Sequence, residues 1–206
     1  MPRPIDILWF LIWIVFLVLL PLVMLMRGAF YMAYLGPWLA LVASASAVLL
    51  VLILYATIVR VWLGVSLSVK ALRAKAVVST ILLFSYLSYA LIHIPEVNVK
   101  TGEERVEYTA LHPFLRIAVG TWILVDTDLL VTDIARNHGE LPETSSVRSL
   151  HHTQPDGYVH AVDLRTLGRM EIRNRLVEVY FRLMGFSTLR HVGTADHLHV
   201  SVPSGA

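Results

Sequence analysis

Apolar residues are unevenly spread along the chain: before about residue 95 they form long runs, and after it they alternate with polar positions. Ile7 to Met26 is an almost unbroken series of Leu, Ile, Val, Phe and Trp, and about 20 such residues cross a bilayer at 1.5 Å rise each. This predicts a first transmembrane helix. It reads as a retained span and not a cleaved signal, because the run is long, contains Pro21 and is followed almost at once by a second run. Gly36 and Pro37 punctuate a short connection, and residues 38–59 predict a second span, with Trp38 and Trp62 where interfacial aromatics sit. Ala43, Ser44, Ala45, Ser46 and Ala47 are small enough to permit close helix contact there. Residues 77–94 predict a third, slightly short span.

Arg60, Lys70, Arg73 and Lys75 make the connection before the third span the most basic short loop. Basic loops stay on the cytoplasmic side. The expected topology is therefore a multi-pass membrane protein with a cytoplasmic amino terminus and everything after about residue 95 periplasmic or extracellular. Arg3 agrees with this orientation and Arg27 opposes it weakly.

Beyond the spans, residues 95–110 are polar and read as a linker leaving the membrane. His112-Pro113 opens a helical pattern in which Leu115, Ala118, Trp122, Val125, Leu129 and Ile134 recur, predicting a long core helix ending near Asn137-His138-Gly139. Asp126, Asp128 and Asp133 argue against a fourth span, since carboxylates at bilayer depth are costly. Leu141 to Arg148 reads as extended, Gln154-Pro155-Asp156-Gly157 as a turn and Tyr158 to Leu164 as a strand. Met170 to Met184 is helical, with Ile172, Leu176, Val179, Tyr180 and Leu183 on one apolar face, and Gly185 ends it. Two strands follow, from Ser187 to His191 and from His197 to Val202, with a turn at Gly193-Thr194. The predicted fold class is thus an α-helical membrane region of three transmembrane helices, residues 1–94, followed by an α+β domain with a small antiparallel sheet, residues 111–206.

Composition changes this picture little. The formal net charge is +2 from scattered Arg and Lys, without the basic stripe and interleaved aromatics of a nucleic-acid binder. Nucleic acid is excluded as a partner. There is no cysteine, so neither a disulfide framework nor a thiolate metal site is available. The expected partner of the amino-terminal half is the lipid bilayer. Assembly with itself or within a larger membrane complex is left open.

The candidate chemistry lies near the carboxy terminus, in Asp196-His197-Leu198-His199-Val200 and in Gly157-Tyr158-Val159-His160-Ala161-Val162-Asp163-Leu164. Two imidazoles two positions apart share one face of a strand, and with a carboxylate they offer donors of the kind zinc takes. Asp196 points to the other face unless the backbone twists or bulges there.

These segments resemble the zinc D-Ala-D-Ala carboxypeptidases and endolysin peptidases, a family grouped with lysostaphin-type enzymes and the hedgehog signalling domain. Its pattern runs S-x-H-x-x-G-x-A-x-D, followed far downstream by E-x-x-H or D-x-x-H. Ala161-Val162-Asp163 matches A-x-D, Asp196-His197-Leu198-His199 matches D-x-x-H, and Thr144-Ser145-Ser146-Val147-Arg148-Ser149 looks like the family's T-S-G-Y-R-S. The resemblance covers roughly residues 111–203. It implies that Asp163 and His199 ligate Zn2+ and that Asp196 takes the proton of the attacking water. It further implies that His197 either supports the ligands without touching the metal or stabilises the transition state, and that Arg148 polarises the scissile carbonyl or holds a substrate carboxylate. The first histidine departs from the pattern: the family leaves six residues before the aspartate, whereas here His160 leaves two and His152 ten. His160 is favoured as the first ligand for its flanking residues, with His152 as the alternative, and His151 and His138 are read as surface residues.

The resemblance implies a membrane-anchored zinc peptidase that hydrolyses peptide bonds of peptidoglycan, as a carboxypeptidase or an endopeptidase. A second expectation, of a different class, is a membrane binding or structural protein with a degenerate peptidase-like domain and no turnover.

Overall fold

The structure is a computed structural model, which describes residues 6, 9, 19–64, 68–100, 102–135, 149–193 and 195–203. The chain divides into two compact units, Met1–Thr80 and Ile81–Ala206.

The described part of the first unit is helical. Helix α1, Leu20–Tyr31, and helix α2, Pro37–Trp62, pack side by side through Leu25, Met26 and Ala29 on one and Ala40, Leu41, Ser44 and Val48 on the other. Ser44 Oγ donates to the Leu25 carbonyl at 2.7 Å. A Cβ on Gly28 would lie 2.4 Å from Ser44 Oγ. Gly28 and Ser44 therefore set how closely the helices approach, which is the role small residues take between apolar helices. Pro37 sits in the first turn of α2, where its missing N–H costs nothing.

Helix α3, Val69–Ile92, begins earlier than its apolar run suggested, so Lys70, Arg73 and Lys75 lie on its first turns and not in a loop. Two helical stretches among the described residues are long and apolar enough to cross a membrane, Pro37–Trp62 with mean hydropathy 2.6 and Arg73–Ile92 with 1.6. Most of the expected first span lies outside the described residues, and α1 itself has only 12 residues.

The second unit is the expected α+β domain, with a four-stranded antiparallel sheet. Its further elements are the short helix α4 (Gly102–Glu107), helix α5 (Pro113–Val125), strands β1 (Val131–Asp133) and β2 (Ala161–Arg165), helix α6 (Glu171–Met184) and strands β3 (Ser187–His191) and β4 (His197–Ser201). The strand order is β1-β2-β4-β3, antiparallel throughout. Val162 pairs with Val200 and Leu164 with Leu198, all buried on one face of the sheet. On that face Thr188 accepts from Arg182 Nε at 2.7 Å and Arg190 pairs with Glu171, so α6 covers it. The other face carries Asp163, Arg165, His197 and His199.

Helix α5 forms the centre of this unit, with Phe114, Leu115, Ile117, Ala118, Val119 and Ile123 buried. Tyr180 of α6 donates its hydroxyl to the Ala118 carbonyl at 2.9 Å, and its ring lies 4.7 Å from that of Trp122. The end of α3 belongs to the same core: a Cβ on Gly120 would meet Ala90 Cβ at 3.3 Å, and buried Tyr108 holds the Ala90 and Arg116 carbonyls at 2.8 Å. Segment 95–110 is therefore no simple linker. It contains α4 and two 3₁₀ turns, Asn98 anchors it by bonds to the Thr127 and Leu129 carbonyls, and Val99 pairs with Val131.

Three further expectations change. The long helix stops at Val125, where Asp126 caps it and accepts from Trp122 Nε1 at 3.3 Å; Leu129 and Ile134 are buried, but from a turn and beside β1. The first strand is β1, whereas segment 141–148 lies outside the described residues. On α6 the buried side chains are Asn174, Val177, Glu178, Tyr180, Phe181 and Met184, while Ile172, Leu176, Val179 and Leu183 face outward. Two Arg–Glu pairs, from Arg175 and Arg182 to the same buried Glu178, let the polar-looking face turn inward.

Candidate metal centre

The open face of the sheet brings together residues distant in sequence. Asp163 and His199 are direct cross-strand partners of β2 and β4, a spacing at which side chains on one face touch. His199 Nδ1 lies 2.8 Å from Asp163 Oδ1. The third member comes from the segment before β2. Gly157, at φ 87°, closes the turn from Gln154, with its N–H on the Gln154 carbonyl at 2.9 Å, and Thr153 pairs with Val159. The chain thereby doubles back, His160 N–H reaches the Leu150 carbonyl at 3.0 Å, and His151 is carried to the site. Its Nε2 lies 3.4 Å from Asp163 Oδ1 and 3.3 Å from His199 Nδ1.

The proton positions follow from chemistry. His151 Nδ1 is 3.0 Å from the Ile134 carbonyl, which can only accept, so Nδ1 carries the proton; the Nε2 lone pair faces the other two groups in the neutral ring, and Nε2–H donates to Asp163 in the imidazolium. Metal-ligating histidines are held in this way. A tetrahedral ion at ~2.0–2.1 Å from each donor keeps its ligand atoms roughly 3.3 Å apart. The observed separations of 2.8, 3.3 and 3.4 Å fit that spacing. The residues thus suit a divalent transition ion, with two nitrogens and one carboxylate oxygen as donors.

Burial by itself would raise the Asp163 carboxyl, but hydrogen bonds from His151 and His199 and the nearby imidazoles outweigh it and hold the group well below the usual carboxylate range. Burial likewise pulls His151 down, and the Asp163 bond more than restores it, so its proton affinity rises. The charge of Asp163 is therefore secured whether the compensating cation is an imidazolium or a metal.

The expected first ligand, His160, is not in this group. It stands three residues before Asp163, on the opposite face of β2, and its Nε2 meets Asp156 Oδ2 at 2.8 Å. His112 lies beside it, Nε2 3.8 Å from the same oxygen. This second trio differs in one respect that matters for ligation. His112 Nδ1 accepts from the Phe114 N–H at 3.2 Å, capping α5, so in the neutral ring Nε2 bears the proton and has no lone pair to offer. Burial and the neighbouring His160 lower His112 to about 4. The trio ties the 154–157 turn to the start of α5.

His152, the alternative ligand, is also absent from the group; it is buried in the turn that its N–H closes on the Ser149 carbonyl at 3.1 Å. His151, expected at the surface, is only 3% exposed. A signal for it was present: Ser149-Leu150-His151 has the form S-x-H, separated from Asp163 by a stretch that the 154–157 turn takes up.

His197 shares the open face, its Nε2 3.6 Å from Asp163 Oδ2, its Nδ1 2.7 Å from the Ala195 carbonyl and its ring stacked on His191 at 4.7 Å. Asp196 accepts from Thr166 Oγ1 and from Arg190, whose Nη2 lies 3.2 Å from Oδ2. The Arg190 hydrogen bonds, then that of Thr166, hold Asp196 below the ordinary range. A groove of about 300 Å³ runs past Asp163, His197 and Asp196. Arg148 and His138 lie outside the described residues.

No protein-family model matches the chain, and no curated protein or solved structure matches it either.

Proposed function

We propose that this chain is a membrane-anchored zinc peptidase acting on peptide bonds of peptidoglycan. The observation that carries the reading is the convergence of His151 Nε2, Asp163 Oδ1 and His199 Nδ1, with the far nitrogen of His151 fixed on the Ile134 carbonyl. The substrate class comes from the resemblance of the surrounding motifs, and the anchor from α2 and α3. His151, Asp163 and His199 would hold the ion, replacing His160 and His152 in the ligand set. Zinc, when bound, supplies Lewis acidity toward a carbonyl and raises the acidity of water.

The chain's own groups do the rest. Asp196 lines the same groove and is the carboxylate assigned to accept the proton of the attacking water. His197, whose Nδ1–H is held on the Ala195 carbonyl and whose Nε2 is directed toward Asp163, is assigned, as the imidazolium, to donate from Nε2 to the oxygen that gains charge as the peptide carbonyl becomes tetrahedral. Arg190 and Thr166 fix Asp196 at the mouth of β4 and also weaken it as a base.

That last feature favours a second reading, a metal-binding module of the same fold without turnover. Asp196→Ala separates the two in full-length protein purified in detergent and supplied with zinc. A peptidase loses release of peptide fragments from peptidoglycan, followed by mass spectrometry, and keeps about one zinc per chain. If wild type retains zinc but releases nothing, the binding reading replaces the peptidase. Zinc retained in full by His151→Ala overturns the ligand set.

A further inference from the structure

The apolar stripe of α6 is not used by the core of its own domain. Ile172, Leu176, Val179 and Leu183 recur every three or four residues along one side of the helix, and each is 44–63% exposed. Asn174 and Glu178 are buried in their place, against the ordinary preference for hiding aliphatic side chains. The buried carboxylate is compensated by Arg175 and Arg182. A helix that hides a compensated acid and displays a continuous aliphatic stripe has its apolar face set for a partner and not for water.

The position of α6 names that partner. Within the second unit the end of α3 packs on α5: the Tyr86 hydroxyl shares a hydrogen bond with Thr121, and Ala90 faces Gly120. Trp122, next along α5, carries the ring of Tyr180, which adjoins Val179 of the stripe. Tyr86 precedes the end of α3 at Ile92 by six residues, about 9 Å of helical rise. The membrane-length window of α3 runs to Ile92. With α3 as a span, elements that pack on Tyr86 and Ala90 lie level with its last two turns and not clear of the bilayer. The stripe of α6 is then continuous with the exposed side chains of α3, such as Phe84 and Ile92.

We infer that the α6 stripe docks the second unit onto the bilayer surface, with its aliphatic side chains entering the boundary between headgroups and acyl chains. The inference rests on reading α3 as a span and is independent of peptidase activity. Lipid suits the stripe better than a protein does. Binding hot spots between proteins are rich in Trp, Tyr and Arg, whereas the stripe is wholly aliphatic. A standard protein interface takes roughly 800 Å² from each partner, more than four part-exposed side chains present. A lipid surface needs no shape match, and α3 keeps the stripe at high local concentration, so weak docking suffices. Arg175 and Arg182 are exposed along one edge, where long stems let their charged ends stay among headgroups. The sheet face under α6 is opposite the candidate metal centre, so docking leaves the groove open and restricts its targets to those near the membrane.

The chain has no cysteine, so a single thiol can be placed at will. Full-length Leu176→Cys and Val179→Cys, each labelled with an environment-sensitive fluorophore, are reconstituted into phosphatidylcholine nanodiscs. Emission is quenched either by a lipid carrying a spin label near the headgroup end of its acyl chain or by iodide in the water. Phe84→Cys on α3 is the reference for lipid contact and Val192→Cys, in the turn between β3 and β4, the reference for water. Both stripe positions are expected to show at least about half the lipid quenching of Phe84→Cys and roughly 3-fold weaker iodide quenching than Val192→Cys. Stripe positions that respond to iodide as Val192→Cys does, while Phe84→Cys is quenched by lipid, overturn the inference. Shielding of the stripe from both reagents assigns it to a second copy of the chain and overturns it as well. Failure of the span reading shows differently, as absence of lipid quenching at Phe84→Cys itself, and removes the inference with it.

Discussion

His151 Nε2 faces Asp163 Oδ1 at 3.4 Å although twelve positions separate the two residues, because the 154–157 turn folds one segment back beside the other. Both are buried. Their pairing completes a donor set that β2 and β4 alone leave at two members.

Metal should therefore stabilise the fold as well as serve chemistry. A ligand at 100 times its Kd adds about 2.7 kcal/mol to the folded state. Zinc added to chelated full-length protein is expected to raise the melting temperature by several degrees, and His151→Ala should abolish that rise while His160→Ala preserves it. Differential scanning fluorimetry in detergent measures both, and an unchanged zinc response in His151→Ala refutes the assignment.

Gly157 is the residue on which the delivery of His151 turns. Its φ of 87° lies in the left-handed region, and a Cβ there would meet nothing within 4 Å, so substitution costs only backbone energy. Gly157→Ala should lower stability by about 1 kcal/mol. Zinc affinity should fall with it, since His151 is displaced. Chemical denaturation with and without metal checks this, and a neutral result for both removes the turn from the argument.

His112 supplies a pH dependence in the metal-free protein. Its ordinary value is 6.5 and the folded value is about 4, so below pH 6.5 the unfolded chain takes a proton that the folded chain refuses. Stability is complete at neutral pH and is lost as pH falls from 6.5 toward 4, by about 3 kcal/mol in all. Asparagine keeps an acceptor for the Phe114 N–H but does not titrate. His112→Asn should flatten the dependence in that window, as read from denaturation midpoints at stepped pH.

The two faces of α6 give a contrast. Phe181 is fully buried and Leu176 is about half exposed. Phe181→Ala should cost 3–5 kcal/mol by roughly the usual scale for core aromatics, whereas Leu176→Gln should stay within about 0.5 kcal/mol. If Leu176→Gln proves the more damaging, the helix is rotated from the orientation described.

Some of this was legible from residue types alone. Apolar runs marked α2 and most of α3, Gly185 marked the end of α6, where it adopts φ 107°, and the alternation around Asp163 and His199 marked two strands with their polar members on one face. Such features depend on near neighbours, on helical or strand period and on a backbone conformation that glycine tolerates. Where a helix ends is less local. Leu129 and Ile134 continue the apolar spacing of α5, yet Asp126 stops it and Arg169, far along the chain, holds Asp126 in place.

The sequence by itself determined which donors are available: Asp163 and His199 within the two quoted motifs, several further histidines, no thiols and a helical membrane-length region. Only the tertiary structure decided which histidine joins them. His151 and His152 are adjacent and chemically identical, and His160 has the better-matching neighbours, so composition cannot rank them. Strand alternation sends His160 to the opposite face of β2, and the turn at Gly157 sends His151 to the near one. The same holds for α6, whose buried face is set by the partners Thr188, Ala118 and Trp122 and not by its own pattern. Periodicity fixes which side chains share a face; only long-range contacts choose the face that is covered.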